Sequence, residues 1–251
     1  SAPSPPYNSS SPSPPRIVSR SWLPVIIAFA VCCTFGSSVH AEPETFPSPE
    51  ELRPAVAFWK RVYLEVTTDA GLIHDSRNLG AVYEVVRFSE GTRASTRERQ
   101  KEANKRQWRD ALRRLASGKA PSSEREVHAA ATLEAALGHP PSARDYRVAS
   151  KRLRFQLGQR NKFRAGIIRS GAWDAAMRKT LRQEGVPEGL IALPYVESSF
   201  NPAAYSKYGA AGAWQFMRST GRRFLKIDYV VDERLDPLAA TRAAARLLRK
   251  N

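Results

Sequence analysis

Cysteine is nearly absent. The chain of 251 residues holds two, Cys32 and Cys33, side by side in one apolar run. No disulfide framework can staple the rest, so the fold must rest on a hydrophobic core, for which 42% hydrophobic residues suffice. Histidine is equally sparse: His40, His74, His128 and His139 are scattered without ligand spacing. Neither a metal nor another cofactor is expected. Alternating strand patterns longer than a few residues are also lacking, and no internal repeat recurs. Acidic residues are outnumbered, 24 against 40 Lys and Arg, for a formal net charge of +16. A surface that basic favours polyanions: nucleic acid, anionic lipid or an acidic wall polymer.

Long apolar runs are limited to residues 22–36, WLPVIIAFAVCCTFG, preceded by Arg16 and Arg20 and followed by Val39-His40-Ala41. A positive flank, an apolar stretch and a small-x-Ala exit describe a secretory signal over 16–41, cleaved after Ala41. The run falls short of the roughly 20 residues that span a bilayer; left uncleaved, it would tie the chain to a membrane. Val31 before Cys32 argues against a lipid-attachment site. Cleavage removes both cysteines and two arginines, leaving 38 basic against 24 acidic residues, or +14. Export argues against a nucleic-acid partner and for the cell envelope. Residues 1–15 are Pro/Ser-rich low complexity without an initiator Met.

Residues 42–150 read as a helical region of unassigned role. A helix is expected over 51–65, with Pro54 in its first turn. Residues 80–88 fit helix or strand. The charge-dense stretch 92–116 places Trp108, Leu112 and Leu115 at helical spacing, its Arg and Lys making a solvated face. Further helices are expected from Ser123 to Gly138 and around 144–157. The second region, 151–251, continues with short helices over 160–170 and 173–184, then another from Pro187.

On that last helix Leu190, Leu193 and Glu197 share one face, and Tyr195, Val196 and Phe200 make the surroundings apolar. A carboxyl group there resists ionisation, as a general acid requires. Taken alone, the stretch fits a solvent-facing helix-terminal Glu better. The next segment shifts that balance: Ser206, a loop bracketed by Gly209 and Gly212, then Gln215 and Met217 on a helix expected from about Ala213. Hydroxyl and amide groups suit sugar hydroxyls and acetamides. Tyr208 and Trp214 could stack on sugar faces, or Trp214 could be core, as Phe216 is expected to be. Glu184, Glu188, Asp228, Asp232, Glu233 and Asp236 are all poor candidates for a second catalytic carboxylate.

The motifs Glu197-Ser198-Ser199-Phe200-Asn201-Pro202 and Gly212-Ala213-Trp214-Gln215-Phe216-Met217 resemble those of the lytic transglycosylases with a goose-lysozyme-like fold, glycoside hydrolase family 23. Within it the membrane-bound lytic murein transglycosylase D group is the nearest resemblance. It covers the last quarter of the chain. It implies a mainly α, lysozyme-like catalytic domain, Glu197 as the catalytic acid, and Ser198, Ser206, Tyr208, Gln215 and Met217 as substrate-binding residues. The implied partner is the peptidoglycan glycan strand, and the location the periplasm or the cell envelope at large, including the outer membrane. Ala213-Trp214 departs from the family's usual Leu-Met and would reshape one sugar subsite. The family's later A-Y-N-A-G motif and a further cleft tyrosine are missing, so the catalytic domain is expected to be incomplete at its C-terminus.

Overall fold

A computed structural model describes Phe46 and residues 49–250. The low-complexity segment and the signal over 16–41 lie outside the described residues. The chain is mainly α, as expected, with a small sheet added.

Helix α1 (Arg53–Lys60) has Pro54 in its first turn, where the missing N–H costs nothing. It widens into a π turn, Arg61–Glu65, which buries Val62 completely. Strands β1 (Ala70–Asp75), β2 (Val82–Arg87) and β3 (Leu153–Leu157) follow, the last after three helices. They form an antiparallel sheet in the order β2-β1-β3. All six residues of the central strand β1 are buried, so it carries no alternation to read. The ambiguous 80–88 stretch resolves as β2.

Helices α2 (Ala94–Leu115), α3 (Glu124–Leu137) and α4 (Ala143–Arg152) cover one face of the sheet. Trp108, Leu112 and Leu115 of α2 enter a core with Tyr83, Leu133 and Leu153. Ser123 caps α3, Gly138 at φ 76° ends it, and a Ser142/Asp145 capping box starts α4. The helix expected over 144–157 stops at Arg152. Its last five residues form β3, because the edge of β1 offers them a ladder of backbone partners and Gly71 leaves room for the Phe155 ring.

Helix α5 (Arg160–Ser170) grows directly out of this sheet. Its first N–H groups have no partners inside the helix; Gln159 N donates to Val62 O (2.8 Å) and Arg160 N to Val66 O (2.9 Å), so the π turn anchors its start. Then come α6 (Asp174–Gln183), a 3₁₀ turn over Glu188–Ala192, α7 (Leu193–Ser198), the short α8 (Arg218–Gly221) and α9 (Pro237–Arg249). Asp236 caps α9 by accepting from Leu238 N and Ala239 N, both at 2.8 Å. Ala240, Ala243, Ala244 and Ala245 let α9 lie close against Met177 and Leu181 of α6.

Candidate active site

Helix α7 is only six residues long. Pro194 sits in its first turn, so the proline starts the helix rather than kinking it. The helix stops at Ser198 because Ser199 (φ 53°) and Phe200 (φ 56°) both turn left-handed. Two such residues in succession cost about 1–3 kcal/mol each. Packing and hydrogen bonds hold them. Phe200 is buried against Tyr195, with ring centroids 4.8 Å apart, and its N–H donates to Pro194 O at 2.9 Å. Arg169 Nη2 donates to Ser199 O at 2.5 Å. Among the described residues the third non-glycine residue of positive φ is Gln215, at 48°. Ser199 and Gln215 border the same cleft, and Phe200 is buried in the core behind it.

That cleft encloses about 580 Å³. One wall is Val196 to Ser199 with Asn201, another is Ala204 to Ser206 with Gln215, and a third is Gln159 to Arg169 on and before α5. Glu197 faces solvent within it, yet protein surrounds the carboxyl closely enough that desolvation raises its pKa. Among the residues lining the cleft it is the single carboxylate. The other acids are engaged elsewhere: Glu184 with Arg246 and Arg249, Glu188 with Arg182, Asp232 with Arg234.

Ser206 Oγ accepts from Tyr208 N (3.3 Å) and Ala210 N (3.0 Å), leaving its proton to offer to the cleft. Gln215 Nε2 donates to Gly212 O (2.8 Å), which fixes the amide and leaves Oε1 as an acceptor. Ser198 also borders the cleft, but its hydroxyl is committed: it donates to Ala213 O (2.9 Å) and accepts from Asn201 N (3.0 Å). It clamps the turn rather than facing a ligand.

One expected helix is absent, and two residues expected to bind substrate lie apart from the cleft. Met217 and Tyr208 lie outside the cleft lining. The chain folds back through an Ala211–Phe216 bridge, so no helix starts at Ala213; Met217 emerges beyond it as the residue preceding α8. Tyr208 stands at the loop tip, 74% exposed, under the Lys207 ammonium. Trp214 is core: it is 8% exposed and its Nε1 donates to Thr241 Oγ1 at 2.8 Å. Phe216 is core as expected.

Several contributors were missed. Arg234 is 3% exposed and pairs bidentately with Asp232, while its Nη1 donates to Gly209 O (2.8 Å) and Phe216 O (3.1 Å). Tyr205 donates to the same Asp232 at 2.9 Å. This network supports the Ser206–Gln215 loop from behind. Arg234 and then Tyr205 hold the Asp232 carboxyl down at about 2. Tyr63, on the π turn, packs against Phe163 of α5 with the rings tilted by 53°, and burial and then the Glu197 charge push its phenol well above the usual range. The α5 wall was legible only as Lys162, Ala165 and Arg169 at helical spacing. Among the described residues no cluster of His, Cys, Asp or Glu could hold a metal ion, and no helix is long and apolar enough to cross a membrane.

Residues 174–251 match the family model of the transglycosylase SLT domain. The C-terminal part of the chain is such a domain. Over 71 residues the chain is 41% identical to the membrane-bound lytic murein transglycosylase D of Escherichia coli strain K12, and equally to that of Escherichia coli O6:H1. Those residues are 28% of this chain and 16% of either relative, so the chain spans a small part of the proteins it resembles. No solved structure matches it. The transglycosylase SLT domain supplies Glu197 and the Ser206–Gln215 loop, whereas the α5 wall precedes the matched segment.

Proposed function

We propose that the chain is a peptidoglycan lytic transglycosylase, a carbon–oxygen lyase that cleaves the β-1,4 bond between N-acetylmuramic acid and N-acetylglucosamine without water. The observation that carries this reading is the lone carboxylate. Glycoside hydrolases usually set two carboxyl groups about 5–9.5 Å apart, one to protonate and one to attack or to activate water. This cleft offers Glu197 alone. One carboxyl group suffices if the substrate supplies the nucleophile.

Glu197, whose pKa desolvation raises, donates its proton to the bridging oxygen as the glycosidic bond breaks. The resulting carboxylate then takes the proton of the C6 hydroxyl of N-acetylmuramic acid. That oxygen bonds to C1 and closes a 1,6-anhydro ring, leaving Glu197 neutral again. Intramolecular attack carries a large effective molarity, which stands in for a second catalytic group. The Ser206 hydroxyl and Gln215 Oε1 supply a donor and an acceptor that suit the acetamide beside the reacting carbon. A glycan-strand substrate puts the protein in the cell envelope, which the membrane-bound name of its relatives and the secretory signal expected over 16–41 support.

Mass spectrometry of the soluble products from purified sacculi tests the reading. Anhydro-muropeptides are expected. Products with reducing ends would make the chain a hydrolase, and retention on sacculi without product would make it a binding module.

A further inference from the structure

Helix α5 turns Lys162, Ala165 and Arg169 toward the cleft, at i, i+3 and i+7. Gly166 lies on the adjoining edge of that face, where a Cβ would come within 2.8 Å of Ser199 O. The wall thus has small residues at its centre and a cation at each end. Neither cation is neutralised: among the described residues no ion pair includes Lys162 or Arg169, and neither reaches Glu197. The local sequence explains why. Between Asp145 and Asp174 there is no acidic residue, but there are eight Lys and Arg. Arg169 gives one Nη2 proton to Ser199 O, while its Nε is buried without a hydrogen-bond partner. A buried donor left unpaired costs about 1–3 kcal/mol. The neighbouring Asn161, by contrast, is fully used in bonds to Thr68.

We propose that Lys162 and Arg169 form an anion subsite that takes a carboxylate of the peptide carried on the glycan strand. This rests on the reading of the cleft as a glycan-strand site. A neutral sugar chain gives two unpaired cations nothing to pair with, whereas a muramyl peptide brings free carboxylates alongside the sugar. The subsite selects strands with free stem carboxylates over uncharged ones, and it lies on the part of the cleft that the transglycosylase SLT match does not cover.

The test is equilibrium binding of soluble glycan strands that keep their peptide stems, with the stem carboxylates free and after their conversion to amides; stripping the stems with an amidase would instead expose a lactyl carboxylate on each muramic acid. The proteins are the unaltered chain, Lys162→Glu, and Arg164→Glu, a cation on the same helix but outside the cleft lining. Exposed charge pairs contribute modestly, so the unaltered chain should prefer strands with free stem carboxylates about fivefold. Added salt should shrink that preference. Lys162→Glu should bring the ratio close to one, and Arg164→Glu should keep it. Equal affinity of the unaltered chain for both strands, or binding to neither, overturns the subsite. So does a ratio that survives Lys162→Glu or is lost equally in Arg164→Glu. Product mass from the amidated strands separates the two readings. Anhydro products without a carboxylate preference would refute the subsite and leave the reaction standing, whereas a carboxylate preference without product would do the reverse.

Discussion

Gly166→Ala sets two effects against each other at one atom. In an ordinary helix interior alanine is better than glycine by about 1 kcal/mol. On α5 the new Cβ would lie 2.8 Å from Ser199 O and 3.0 Å from its carbonyl carbon, where ordinary contact begins at 3.4 Å. Helix or turn must therefore give by about 0.6 Å. The atoms met are backbone, in a residue already at φ 53° and followed by Phe200 at 56°, so no flexible side-chain tip absorbs the shift. Overpacking of this kind costs about 1–3 kcal/mol. The net loss is then about 0–2 kcal/mol, or a fall in Tm of a few degrees for a chain of this size. The displacement acts two residues from Glu197. A misplacement of about 1 Å can cost a hundredfold in rate, so turnover should drop roughly tenfold. Thermal melting and the rate of anhydro-product release from sacculi measure both quantities. A higher Tm with unchanged turnover would refute the idea that contact between α5 and Ser199 holds Glu197 in place.

Glu197→Gln should leave the fold intact and cut turnover by at least about a hundredfold; half of the parent rate would sink its assignment as the acid. The folded state raises the Glu197 pKa above its ordinary 4.5. The neutral form's contribution is therefore present below that value and lost as pH rises through the folded one, so Glu197→Gln should melt no lower than the parent at pH 7. Asp232 works in the opposite sense. Its pKa is lowered from 3.8 to about 2, so its contribution of about 2 kcal/mol holds above 3.8 and is lost as pH falls toward 2. Asp232→Asn should abolish that acid-dependent step in melting temperature. Arg234→Met would leave Asp232 without its ion-pair partner and free two carbonyls, costing about 3–5 kcal/mol. Adding Asp232→Asn should recover part of the loss, and a single variant that melts like the parent would show that the loop is not held from behind.

The candidate acid was legible because its signal is local: one carboxylate in an apolar helix, followed by glycines at the right distance. Ser206 and Gln215 follow from the same short stretch. Helix ends were equally readable at Ser123, Gly138 and Ser142, where capping chemistry belongs to the residues themselves. The sheet was not. Strand β1 is buried on both faces, so its pattern has no period of two, and β3 reads as the tail of α4 until β1 is known to lie beside it. Trp214 was left open because aromatic rings serve cores and sugar sites alike, and only the Thr241 bond, 27 residues away, decides. Arg234 was invisible for the same reason: its partners Gly209 and Phe216 are 25 and 18 residues distant.

Strain gives the cleft its construction. Ser199, Phe200 and Gln215 hold left-handed conformations that their side chains disfavour, and they do so around one carboxylate. Such conformations persist only where their surroundings over-determine them. Phe200 is fixed by the core of the transglycosylase SLT domain, and Gln215 by its own amide bond to Gly212. Ser199 is different: its carbonyl is gripped by Arg169 and crowded by Gly166, both on a helix that precedes the matched segment. That helix is in turn seated by the carbonyls of Val62 in the π turn and of Val66 just after it. The region of unassigned role thus reaches Glu197 through a short chain of contacts: π turn, α5, Ser199. Its contribution to the cleft is to fix the wall against which the acid is aimed.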